Sequence, residues 1–192
     1  MGSRKWVLFD AGGSAGGRRW DGSLVINEHA FASESSLGDL QTFWNTARLH
    51  VASLPEQLPE AWAFGATTEQ ADELLVLVQS GTKTGTASAL WDIEDDGDSL
   101  PEAGELSIIL DGQGRPRAII ETTAVNIVDF DQVTAEHAHA EGEGDLTLEA
   151  WRTIHECFWR KHSRRGFADN MPVVCERFRL VFATDDGLRR DA

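Results

Sequence analysis

The chain contains no tyrosine, and only three of its 192 residues are lysine: Lys5, Lys83 and Lys161. Its two cysteines, Cys157 and Cys175, form no C-x-x-C pair and are too few for a disulfide framework. Both sit inside apolar patterns, which suits free buried thiols in a reducing compartment. No apolar run approaches the roughly 20 residues needed to cross a bilayer. The N-terminus also lacks the charged-then-apolar layout of a secretory leader. These absences lead us to expect a cytoplasmic protein with no membrane partner. Positive charge is scarce too: 17 Lys and Arg stand against 32 Asp and Glu, a net charge of −15. Such an average field repels duplex DNA. It leaves room for a small neutral ligand, or for single-stranded RNA held on a local basic patch.

What is present describes a folded domain. Hydrophobic residues make up 41% and charged residues 26% of the chain, ordinary globular values. Residues 10–22, DAGGSAGGRRWDG, are too glycine-rich to order themselves. Residues 1–38 are therefore expected to form a flexible or irregular arm, and the opening Met-Gly-Ser is set aside as a common cloning remnant. A single domain over 39–184 and a tail over 185–192 complete the division. The seven tryptophans read as core and rim residues rather than as base-stacking platforms.

Ser36 and Asp39 resemble a helix start, after which Leu40, Phe43, Trp44, Ala47 and Val51 recur at helical spacing. Thr67 and Gln70 form a capping-box pattern ahead of a second helix, with Gly81 placed to end it. Strands are predicted over 87–93, 105–111 and 118–127, the last two joined by the turn DGQGRP. A short helix is predicted over 133–140. Thr147 caps another helix, with Leu148, Trp151, Ile154, His155 and Phe158 along one face. In the closing strand, Val174, Phe178, Leu180 and Phe182 are expected to share one side. Helices first and mostly strands after them predict an α+β fold, a small mixed β-barrel flanked by helices.

Two stretches carry chemistry. SGTKTGTASALW (80–91) does not satisfy the phosphate-loop pattern G-x-x-x-x-G-K-[ST], and its order, helix end before strand start, is reversed. What remains is Lys83 three residues before Thr86. A threonine hydroxyl becomes a nucleophile when a neighbouring base takes its proton; the plainer reading is a polar turn with a solvated lysine. In EHAHAEGEGDLTLEAW (136–151), His137, His139, Glu141 and Glu143, together with His155, invite a metal reading. H-x-H-x-E is not a tetrahedral ligand set, so no metal and no cofactor is expected. Glycines on both sides of Glu143 suggest tight backbone packing near a ligand or a strand. His155 reads as a core histidine. Arg177 and Arg179 are either an anion-binding strip or the wet face of the last strand.

ADELLVLVQSGTKTGTAS, LPEAGELSIILDGQGRPRAIIETTAV, AEGEGDLTLEAWRTIHECFW and MPVVCERFRLVF, in this order and spacing, resemble the ASCH domain family. The resemblance covers about residues 40–184. It implies a small β-barrel related to the PUA RNA-binding fold. It also implies one of two activities: amidohydrolysis of N4-acetylcytidine and related acylated cytosines, or cleavage of single-stranded RNA. By the motif of the amidohydrolase type, Lys83, Thr86 and Glu141 are the catalytic residues. Thr84, Gly85, Ser88, Glu143, Trp151, Arg152, His155, Arg177 and Arg179 are then candidate binding residues. Ser88 stands where the short amidohydrolases carry an arginine. In the mechanism this implies, Lys83 deprotonates Thr86 or a water, and Glu141 orients the lysine or relays the proton. A ligand-binding regulatory module without turnover is a third reading. Nothing in the sequence fixes an oligomeric state.

Overall fold

The computed structural model describes residues 34–184. The glycine-rich stretch 10–22 and the tail 185–192 lie outside these residues, as does all of the expected arm except 34–38. The first helix, α1 (Glu34–His50), already begins within that arm. Phe43, Trp44 and Ala47 are its buried residues, at the spacing the sequence predicts. After it come β1 (Glu60–Trp62), α2 (Thr68–Gln79), β2 (Gly85–Ala89), α3 (Leu90–Asp96) and β3 (Leu106–Leu110). The remaining elements are β4 (Pro116–Asp129), α4 (Ala135–Glu141), α5 (Leu148–His162) and β5 (Pro172–Ala183), with a short 3-10 turn over Phe130–Gln132 between β4 and α4.

The strands form one curled, mixed sheet in the order β1-β3-β4-β5-β2. Only the β1–β3 pair is parallel; the other three are antiparallel. The result is the expected α+β near-barrel with helices around it. α2 covers one face, where Leu75 and Val78 pack with Ile109, Ile120 and Phe178. α1 covers the other, where Trp44 meets Ile108 and Ile119. A third cluster closes the β2 end, with Trp151 and Trp159 of α5 against Phe130, Val173 and Cys175.

The caps announced at Thr67 and Thr147 are in place, whereas α1 begins at Glu34, two residues before the expected start at Ser36. The Thr67 hydroxyl accepts from Gln70 N at 3.2 Å, and the Gln70 side chain accepts in return from Ala66 N at 2.8 Å. Thr147 accepts from Ala150 N at 3.1 Å. Cys157, expected to be a buried thiol, is exposed, and three further expectations fail. The predicted strand 87–93 stops at Ala89, and 90–96 is helical, ending on Gly97 in the left-handed region. Residues 54–65, LPEQLPEAWAFG, whose prolines suggest a plain connection, contain the short strand β1. Phe182 leaves the side shared by Phe178 and Leu180. A register irregularity at Ile119/Ile120 pairs Ile119 with Phe182 but Ile120 with Leu180, and so turns Phe182 toward Phe43 of α1.

Among the described residues, no helix is long and apolar enough to cross a membrane.

Candidate functional site

The segment leading into β2 is held from three directions. Lys83 N donates to Leu77 O at the end of α2, and Thr84 N donates to Ala140 O in α4. Phe178 N in β5 donates to Thr84 O. The Thr84–Ala140 bond sets their neighbours, Lys83 and Glu141, side by side. Two glycines permit the approach. A Cβ on Gly142, whose φ is +74°, would lie 2.8 Å from Thr82 O, and one on Gly85 would meet Glu176 O at 3.1 Å. The glycines around Glu143 thus reflect close packing, as their spacing suggests.

Lys83 is 2% exposed, so it is no solvated turn lysine. Its Nζ donates to Glu143 Oε1 at 2.7 Å, to Glu141 Oε2 at 3.4 Å and to the Glu141 carbonyl at 3.4 Å. It also stands 5.3 Å from the centre of the Phe64 ring. An ammonium has three N–H donors and no lone pair. Three oxygens therefore use all of them, whereas a neutral amine would aim its lone pair at one.

Glu141 is equally engaged. Its Oε1 accepts from Trp151 Nε1 at 2.6 Å and from His137 Nε2 at 3.0 Å, and His155 Nε2 lies 3.5 Å from its Oε2. Burial alone would push this carboxyl up. The electrostatic pull of His155 and Lys83, with hydrogen bonds from His137 and His155, outweighs burial and holds it well below the usual carboxylate value. The His155 ring is fixed at its other nitrogen, where Nδ1 donates to Trp151 O at 2.9 Å, and it stacks on the Trp151 ring.

Lys83, Thr86, Glu141, Glu143 and His155 line one cavity with about 770 Å³ of empty space, its open mouth included. Trp62, Phe64 and Phe158 give it an aromatic wall. The catalytic residues expected from the motif thus converge. His155 is both buried and on the cavity wall. Trp151 stands behind Glu141 as a hydrogen-bond donor.

The other candidate residues do not line the cavity. Ser88 is 2% exposed, and the Thr84 hydroxyl faces Ala140 O at 3.3 Å. Gly85 serves the close approach to β5. Arg152 donates to Asp131 O at 2.9 Å. Arg177 pairs with Glu136 and Arg179 with Glu121, which makes them the wet face rather than an anion strip. Arg160, Arg164 and Arg165 likewise meet Glu156, Asp96 and Asp95.

Among the described residues, no group of three or more His, Cys, Asp and Glu side chains is arranged to hold a metal. Residues that sequence reasoning missed are Trp62, Phe64 and Glu176. Glu176 had a signal: it interrupts the apolar alternation of Val174 and Phe178, which puts a carboxylate on the inward side.

The family model for the ASCH domain matches residues 60–182, more than half of the chain. The chain belongs to the ASCH domain family. The region matched by the ASCH model begins at β1 and ends within β5, so it contains every residue of the cavity. Among solved structures, the ASCH protein is similar to protein EF3133 from Enterococcus faecalis V583, with 33% identity over 81% of this chain and 98% of that one, and a TM-score of 0.69. It is also similar to the ASCH domain from Lactobacillus crispatus JV V101, with 27% identity over 77% of this chain and 94% of that one, and a TM-score of 0.66. No curated protein matches the chain significantly.

Proposed function

We propose that the cavity is an amidohydrolase site for a neutral, nucleobase-sized amide of the N4-acylated cytidine type. The observation that carries this reading is the convergence of Lys83, Thr86 and Glu141 on one aromatic-walled cavity. Thr86 is the nucleophile. Lys83, as the ammonium, is the cation that attracts the carbonyl oxygen, and Glu141 holds it in position from below. The three acceptors around Nζ speak against the lysine as a base. Glu143, 22% exposed, is the partner able to swing toward solvent and free an N–H for substrate. Aromatic rings flanking a planar base supply binding that does not depend on charge.

The second reading, single-stranded RNA as ligand or substrate, needs free cations near the cavity. Lys83 is enclosed by two carboxylates, and Glu176 adds a third acid to the lining. The arginines of 152–179 that pair with acids present little free positive charge. This local chemistry favours the small neutral substrate.

The experiment is a turnover screen of N4-acylated cytidines and short RNAs, wild type against Thr86→Ala. Hydrolysis of an acylated cytidine, lost by about 100-fold or more in the variant and little changed by salt, is expected. A Thr86→Ala protein as fast as wild type would refute the reading. So would cleavage of RNA only, or saturable ligand binding with no turnover.

A further inference from the structure

Thr86 needs a base, and four ionisable residues of the cavity, Lys83, Glu141, Glu143 and His155, are tied to one another. The three N–H donors of Lys83 meet three oxygens, so no lone pair is free. The Glu141 carboxylate has Trp151, His137, Lys83 and His155 around its two oxygens. His155 has Nδ1 on Trp151 O and Nε2 against Glu141. Glu143 has one oxygen on Lys83 at 2.7 Å.

Glu176 remains. The β2–β5 register sets it directly opposite Thr86. Directly opposed residues of an antiparallel pair project to the same face, with Cβ atoms about 4.5–5.5 Å apart. Both residues line the cavity, and Glu176 is 7% exposed. Its Oε2 accepts from the buried Thr122 hydroxyl at 3.4 Å, from the neighbouring strand β4. That contact steadies one oxygen of a carboxylate whose position is already set by the ladder.

We infer that Glu176 is the catalytic base that takes the proton of Thr86. The inference rests on the amidohydrolase reading and adds a residue to it. Glu176 accepts the hydroxyl proton while Thr86 Oγ1 forms a bond to the acyl carbon, and the carbonyl π pair moves onto its oxygen. As that pair returns, the C–N bond breaks and the amine leaves with the proton Glu176 held. Water then adds to the threonyl ester by the same route. It gives its proton to Glu176, which returns it to Thr86 Oγ1 as the ester C–O bond breaks, releasing the carboxylic acid.

The test uses p-nitrophenyl acetate, an activated acyl ester, with mass spectrometry locating the acyl group on intact protein. Wild type, Glu176→Gln, Glu176→Asp and Thr86→Ala are compared across pH, each checked for a native melting curve. Wild type is expected to become acylated on Thr86, at a rate that falls in acid as the carboxylate protonates. Glu176→Gln is expected to acylate at least about 100-fold more slowly, with the acid limb gone, an effect that loss of mere packing would not produce. Glu176→Asp, one methylene short, keeps the limb at a reduced rate and serves if the glutamine variant does not fold.

Acylation of Thr86 at the wild-type rate in either folded Glu176 variant overturns the inference and leaves the amidohydrolase reading standing. Wild-type protein carrying no acyl group on Thr86 removes that reading and the inference with it.

Discussion

Replacing Lys83 by methionine keeps an unbranched side chain of similar length and removes the ammonium. Glu141, 1% exposed at its side chain, then loses a cation 3.4 Å away but keeps the donors Trp151 and His137. Glu143 loses a partner at 2.7 Å and turns to solvent. Removing one member of a buried ion pair costs roughly 3–5 kcal/mol, and the two remaining donors place this case at the low end, about 3 kcal/mol. At about 2–4 °C per kcal/mol for a domain of this size, the melting midpoint falls by roughly 6–12 °C. Urea unfolding at pH 7 reads the same loss as a lower midpoint with an unchanged slope.

The pH dependence has a defined sign. The Glu141 carboxyl is held well below its ordinary 4.5, so its contribution is present above about pH 4.5 and is lost as pH falls through the lower folded-state value. Without Lys83 one of the groups that hold it down is gone, and the loss begins at a higher pH. Adding Glu141→Gln, which keeps an oxygen for Trp151, is expected to restore at least about 1 kcal/mol by removing the stranded charge. An unchanged midpoint in Lys83→Met, or no recovery in the double variant, would refute the electrostatic account of the site.

Gly142→Ala forces a side chain onto φ +74° and against Thr82 O at 2.8 Å. A loss of about 1–2 kcal/mol or more is expected from the backbone alone, with weaker ligand binding on the same protein by titration calorimetry. The Cys175 thiol is pushed up to about 12, by burial first and then by the charge of Glu141, whereas Cys157 is exposed. Iodoacetamide at pH 8 should therefore label one cysteine per native chain and two after unfolding, counted by mass spectrometry. Thr67→Ala removes the cap of α2 and is expected to cost about 1 kcal/mol by urea unfolding.

The helices with a 3.6-residue apolar period were legible in the sequence, α2 and α5 with their side-chain caps as well. α1, α2 and α5 follow Trp44, Val78 and Trp151 as the periodicity requires. α3 was not, because Ala89 offers no side-chain cap and Trp91 and Ile93 alternate like a strand. β1 escaped notice because three residues between prolines and glycine leave no period to detect, and with it went the aromatic wall of Trp62 and Phe64. The charged half of the site could be read because Lys83, Thr86, Glu141 and Glu143 lie in two compact motifs. His155 looked like a core residue from its helical face alone. That face does point inward, but the cavity reaches it, which only the curl of the sheet decides. The basic cluster of 152–179 misled for a related reason. Apart from Glu156, one turn from Arg160, the acids that meet it come from 94–96, 121 and 136, distant in sequence and near in space.

The register that faces Thr86 with Glu176 joins positions 90 residues apart. Closing a loop of that length carries an entropic cost before any contact repays it, and such pairings slow folding. The β4–β5 ladder supplies the template on which β2 docks, so β2 can find its place only after the last strand has joined the sheet. A growing chain that has reached α5 already holds Lys83, Thr86, Glu141 and His155, with α2 and α4 to anchor the approach to β2, yet it lacks the strand that β2 pairs with. Maturation of the cavity is therefore a late folding event, coupled to the arrival of β5.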